Sequence, residues 1–443
     1  MAAAESARPT TGTIRRVALT ARPVQVDLGG RMVSTWAYSD TIPGPPIRMT
    51  AGDRLQVAFT NDLPEETSVH WHGLAVRNDM DGVPHVTTEP VQPGGTFAFD
   101  FVVPHPGTHW FHPHTGLQLD HGLYAPFLID DPTEPGGYDH EWVIVLDDWT
   151  DGIGPSPEQI LAELRNTGDH MGGMVMGGMG RGGDVDYPLY LVNGRAPANP
   201  DVLRARPGQR VRLRVINAGA DTIFDLAVGG HDLAVTHSDG YPVVPATTGS
   251  IRIGMGERYD ATITLDDGIF PLVAAPVGKR GLARALVRTS SGTAPEADVW
   301  PAELDGAPLT VEDLRVAVGS GLPARDPDTV QPLTLSGSMG SYEWTINGRP
   351  YDDAEPLTIR AGQAGRLRIA NHSMMPHPVH VHGHTFQVGR AGGTGPRKDT
   401  LLVPAMGAAS VDLVADNPGA WMIHCHNAYH AEAGMMTRLE YVA

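Results

Sequence analysis

The sequence predicts an all-β fold of three consecutive sandwiches, and three observations predict it. Short Val, Ile and Leu runs lie between clusters of Pro, Gly, Asn and Asp in a chain with 53 glycines and 38 prolines, the texture of short strands joined by turns. Extended helical patterns are scarce, the clearest being SPEQILAELRN from Ser156 to Asn166. One strand-like segment also occurs three times in 443 residues, a length that itself suggests about three domains at roughly 150 residues each.

The copies are AGDRLQVAFTND from Ala51, PGQRVRLRVINA from Pro207 and AGQAGRLRIANH from Ala361. Each opens on a Gly-led turn, alternates apolar with polar residues and closes near an Asn, as a half-buried strand ending in a turn does. The repeat divides the chain into domains at 1–135, 136–305 and 306–443.

Histidines separate the outer copies from the middle one. Nine and eleven residues past Asn61 stand His70 and His72, and the same steps past Asn371 reach His380 and His382; past Asn217 they reach Leu226 and Val228. A second pairing agrees, since His112 in PGTHWFHPH and His424 in PGAWMIHCH each lie six residues after the proline. Twenty histidines placed at random in 443 residues would give about one His-x-His pair, whereas the chain has five. Residues i and i+2 of a strand share a face, so each pair presents two imidazoles to one side. Two domains that each offer two pairs can enclose one metal site, which leaves the middle domain as a structural spacer.

The only cysteine, Cys425, lies between His424 and His426. On a strand over 421–427 the thiol points opposite to both imidazoles, so one strand serves two metal sites. A thiolate, two imidazoles and a weak axial thioether make the blue-copper ligand set. Cys425, His430 and Met435 supply three of these, and His377 can turn toward them as the second imidazole. Zinc is the rival metal, but its structural sites use several cysteines at Cys-x2-4-Cys spacing, absent from this sequence.

HWHG (His70 to Gly73), HPH (His112 to His114), HPVHVHGH (His377 to His384) and HCHNAYHAEAGM (His424 to Met435) resemble the four copper motifs of the multicopper oxidases, the laccase-like family. The resemblance implies cupredoxin-like Greek-key domains and four copper ions. It implies a type 1 copper on His377, Cys425, His430 and Met435, and a type 2 copper on His70 and His380. A type 3 pair would take His72, His112, His114, His382, His424 and His426. The implied reaction couples one-electron oxidation of phenols, aromatic amines or Cu(I) to the four-electron reduction of O2 to water. Asp81 in NDMDGVP resembles the family's proton-handling carboxylate. Ala431 stands where some relatives carry a second acid, which leaves Glu432 as the candidate.

The substrate is open at this stage. HMGGMVMGGMG (His170 to Gly180) resembles the methionine-rich insert of cuprous oxidases, and thioethers suit Cu(I); the alternative is a loop whose methionines merely pack. A dedicated cuprous or metal-ion oxidase serving copper tolerance, with weak phenol activity, is therefore the alternative function. An electron-transfer or nitrite-reducing cupredoxin would not need the paired histidines.

A formal charge of −19 repels phosphate backbones and disfavours nucleic acid. No apolar run approaches the ~18 residues of a membrane helix, so no membrane insertion is expected. A single cysteine permits no disulfide within the chain. The first residues lack the apolar stretch of a secretion signal, and the location stays open, with a periplasmic or extracellular protein whose signal has been removed favoured over a cytoplasmic one. A monomer is expected.

Overall fold

The computed structural model describes residues 8–134, 136–170, 182–338, 340–389 and 393–443. They form three two-sheet sandwiches in chain order. In the first, Met32–Tyr38, Ile14–Asp27, Arg54–Asn61 and Thr96–Val102 make one sheet; Ile47–Thr50, Ala125–Asp130, Gly107–His112 and His70–His72 make the other. The middle and third domains keep this order with added edge strands, giving six- and five-stranded sheets.

The three repeated segments are equivalent strands: Arg54–Asn61, Arg210–Asn217 and Ala364–Asn371. Each ends at its asparagine for the same reason. Asn61, Asn217 and Asn371 are buried, and each side-chain oxygen accepts the N–H two residues on, from Leu63, Gly219 and Ser373. That side-chain turn stops the ladder, and the amide donates across it to the carbonyls of Glu65, Thr222 and Met375.

Register places the histidines. His70 sits opposite His112 in the first domain, and His380 opposite His424 in the third. The same slot in the middle domain holds Leu226 opposite Ala274. One apolar core fills the first sandwich, including Trp71, Phe59 and Phe127. A second runs without a break through the middle and third domains and includes Cys425 and Met435.

Helix is sparse. Pro157–His170 forms the helix expected near Ser156, where the Ser156 hydroxyl accepts from Gln159 N and the Gln159 side chain accepts from Ser156 N, a reciprocal cap. No described helix is long and apolar enough to cross a membrane. Met171, Met174, Met176 and Met179 lie outside the described residues.

Candidate metal centres

The strand expected over 421–427 is Ala420–Cys425. It stops there because Asn427 caps the short helix Ala428–Glu432, its side chain accepting from Tyr429 N and His430 N. The helix returns His430 to the thiol. The alternation still holds at the strand's end, since His424 faces other histidines while Cys425 faces His377 and His430.

His377, Cys425 and His430 form one buried set. The sulfur lies 3.5 Å from His377 Nδ1 and 3.7 Å from His430 Nδ1, and those two nitrogens are 3.1 Å apart. His377 opens the strand His377–Val381 rather than preceding it, and pairs with Val403. His380 is three positions further on, so the two project to opposite faces. The outer nitrogens are also engaged, His377 Nε2 with Ser373 Oγ at 2.7 Å and His430 Nε2 with Asp184 Oδ2 at 2.9 Å. Met435 is fully buried, and its carbonyl accepts from Cys425 N at 3.0 Å.

The other eight histidines meet where the first and third sandwiches face each other. His72 Nδ1 lies 3.4 Å from His112 Nε2 and 3.2 Å from His426 Nε2. His382 Nε2 lies 3.1 Å from His424 Nε2, with His114 completing that set. His70 and His380 form a further set with His72. The Nε2 atoms of His70, His114 and His380 are buried without a partner. Buried polar atoms are normally satisfied, and unpartnered nitrogens converging from two domains are donors for metal. The residues thus fit three ions among the eight histidines and one at the cysteine.

Electrostatics agree with that fit. Burial, then repulsion by neighbouring rings, holds His112, His114, His377, His382, His424 and His426 well below the usual imidazole pKa. The same two effects outweigh the pull of Asp399 at His72. Neutral imidazole is the ligating form. His430 is the exception: burial lowers it, but Asp184 and the Cys425 sulfur outweigh burial and hold it at about 10.

Asp81 is fully buried at the histidine cluster, its carbonyl 3.0 Å from His70 Nδ1 and its carboxylate 3.0 Å from His382 Nδ1. Glu432 is exposed on the short helix, where its carbonyl accepts from Arg165, and it makes no hydrogen bond to a cluster histidine. Sequence reasoning missed Asp184 and Asp399, the latter 3.2 Å from His72 Nε2. Neither stands in a repeated or periodic pattern, and only folding brings them to the histidines.

Comparison with known proteins matches this geometry to a class. Multicopper oxidase family models match residues 20–134, 140–292 and 324–442. The chain is 51% identical to Multicopper oxidase MmcO of Mycobacterium tuberculosis, across 99% of this chain and 90% of that protein. It is 27% identical to a Copper resistance protein A homolog of Pseudomonas syringae pv. tomato, across 94% and 90%. Among solved structures, a multi-copper oxidase from Pseudomonas thermotolerans superposes with a TM-score of 0.75 at 29% identity, across 98% of this chain and all of that one.

The chain belongs to the multicopper oxidase family. It is an oxygen-dependent oxidoreductase whose cofactors are four copper ions, one type 1, one type 2 and a type 3 pair.

Proposed function

We propose that His377, Cys425, His430 and Met435 would hold the type 1 copper, and that His70 and His380 would hold the type 2 copper. The type 3 pair falls to His72, His112 and His426 on one side and His114, His382 and His424 on the other. Bound there, the metals would supply the redox chemistry that couples one-electron oxidation of phenols, aromatic amines or Cu(I) to four-electron reduction of O2. The convergence of buried ring nitrogens, 3.1–3.4 Å apart within the first sandwich, within the third and, from His72 to His426, between them, carries this reading.

The chain's own residues orient, connect and exclude water. Cys425 belongs to one set, and the adjacent His424 and His426 belong to the other, so one peptide segment joins them. Nδ1–H donation from His112 to Pro113 O and from His424 to Cys425 O aims each Nε2 inward. Asp81 orients His70 and His382, and its second carboxylate oxygen, 3.2 Å from His70 Nδ1, is the atom that would relay protons at the cluster. Asp184 fixes the outer edge of His430.

A specific observation favours Cu(I) among the substrates. Met374 and Met406 are 48% and 64% exposed, and Met406 N donates to Ser373 O beside His377. Exposed thioethers on the approach to a type 1 ligand suit a soft cation. Oxygen uptake by copper-loaded protein, run in parallel with Cu(I), a phenol and a bulky dye, tests the function. Replacing both methionines by alanine should lower the Cu(I) rate selectively, as should deletion of 171–179 if those methionines also serve it. Fully loaded protein that consumes no O2 with any reductant would overturn the assignment.

A further inference from the structure

Two aspartates hold the histidine cluster in mirrored fashion. Asp81, in the first domain, accepts from its own domain's His70 through its carbonyl and from the third domain's His382 through its carboxylate. Asp399, in the third domain, accepts from its own His380 Nδ1 through its carbonyl at 2.9 Å and faces the first domain's His72 Nε2 with its carboxylate at 3.2 Å.

Their surroundings differ. Asp399 is gripped by the middle domain's Arg258, whose Nη1 and Nη2 donate to its two carboxylate oxygens at 2.7 and 2.6 Å. Arg258 Nε donates to Thr108 O of the first domain at 3.0 Å, and Nη1 also donates to Gly256 O at 3.1 Å. Arg258 and Asp399 are fully buried. The middle domain's Asp239 accepts from the Asp399 and Thr400 backbone N–H groups, while Lys398 Nζ lies 3.2 Å from both Asp239 and Glu257.

Two glycines make room for this joint. A Cβ at Gly73, directly after His72 and at φ +82, would collide with the Arg258 guanidinium and stand 2.6 Å from Asp399 Oδ2. A Cβ at Gly256, at φ +80, would stand 2.7 Å from His426 Cδ2 and 3.0 Å from His72 Cε1. The middle domain's backbone therefore touches the rings of two histidines it does not own.

We propose that Arg258 and Asp399 are positioning residues for the histidine cluster, through which the middle domain sets the tautomer of His72. Thr400 Oγ1 takes the Nε2–H at 3.1 Å and donates in turn to Asp399 Oδ1 at 2.8 Å, which leaves His72 Nδ1 as the atom facing His112 and His426. The other rings of the type 3 sets whose hydrogen bonds are resolved, His112, His382 and His424, engage a neighbour through Nδ1 and leave Nε2 for the metal. His72 is turned the opposite way, and a bidentate Arg–carboxylate pair is the rigid support such an orientation needs.

This rests on His72 being a copper ligand, so His72→Gln is the first control; if it leaves the copper content of the cluster unchanged, that ligand reading fails independently of Asp399. The test compares copper-loaded wild type, Asp399→Asn and Arg258→Lys by chelator titration, copper per chain and blue absorbance, with melting of the metal-free forms. Loss of an outer-sphere partner weakens metal retention about 10–100-fold. Asp399→Asn should show that loss at the histidine cluster alone, with the blue absorbance kept; Arg258→Lys should show a smaller loss of the same kind, because an ammonium cannot hold both oxygens. Equal weakening of both centres that tracks a fall in metal-free melting temperature, or unchanged copper retention, overturns the proposal. If Asp399→Asn does not fold, Arg258→Lys alone decides.

Discussion

Cys425 and its two neighbours place two chemistries on one turn of backbone. The thiol faces His377 and His430, and the adjacent histidines face the other set. Cys425→Ser should abolish the blue absorbance while copper at the histidine cluster is retained, read by absorption and copper per chain; a blue serine variant would rule out the thiolate centre. Asp81 carries a second prediction at this scale. Its carboxylate orients His382, so Asp81→Ala should lower oxygen uptake per bound copper about 10–100-fold with the blue absorbance intact. An unchanged rate would remove Asp81 from the reaction.

At the scale of elements, the helix Pro157–His170 is tied to the first domain by one ring. His121 stacks on Trp36 at 4.6 Å, and its two nitrogens meet Asp151 at 2.9 Å and Glu158, in the helix's first turn, at 2.8 Å. Burial would lower its pKa, but the two carboxylates outweigh burial and raise it to about 10. A raised pKa contributes stability that is fully present below the unfolded value of about 6.5 and is lost as pH rises through about 10. The Glu158 side chain is 60% exposed, so water screens its share, and the clamp contributes about 2 kcal/mol. His121→Gln should lose that amount near pH 6 and little above pH 10, as measured by melting across that range; an equal loss at both ends would mean that packing on Trp36, and not charge, is what matters.

For the whole molecule, the cluster's histidines come from the first and third domains, so the proposed copper sites exist only where both are folded and docked. Copper should therefore raise stability by about 4 kcal/mol when free metal is a thousandfold above its dissociation constant, and calorimetry should show metal-free protein unfolding earlier. Identical curves with and without copper would mean that the sites do not bridge the domains.

Much of this was legible in the chain because it depends on local periodicity. The recurring strand, its closing asparagine and the matched histidine offsets all follow from alternation and turn chemistry, which act over a few residues. The copper motifs inherit that legibility, and so does the chemistry of the family. What the sequence determined by itself was three sandwiches, two of them bearing the candidate ligands, around a copper oxidase centre. Tertiary structure alone decided the rest. It put Glu432 at the surface, brought Asp184 onto His430, and joined Arg258 to Asp399 across 141 residues. Such contacts arise where separately formed sheets dock, and at a docked face any residue of either partner can meet any of the other, with no spacing in the chain to announce it.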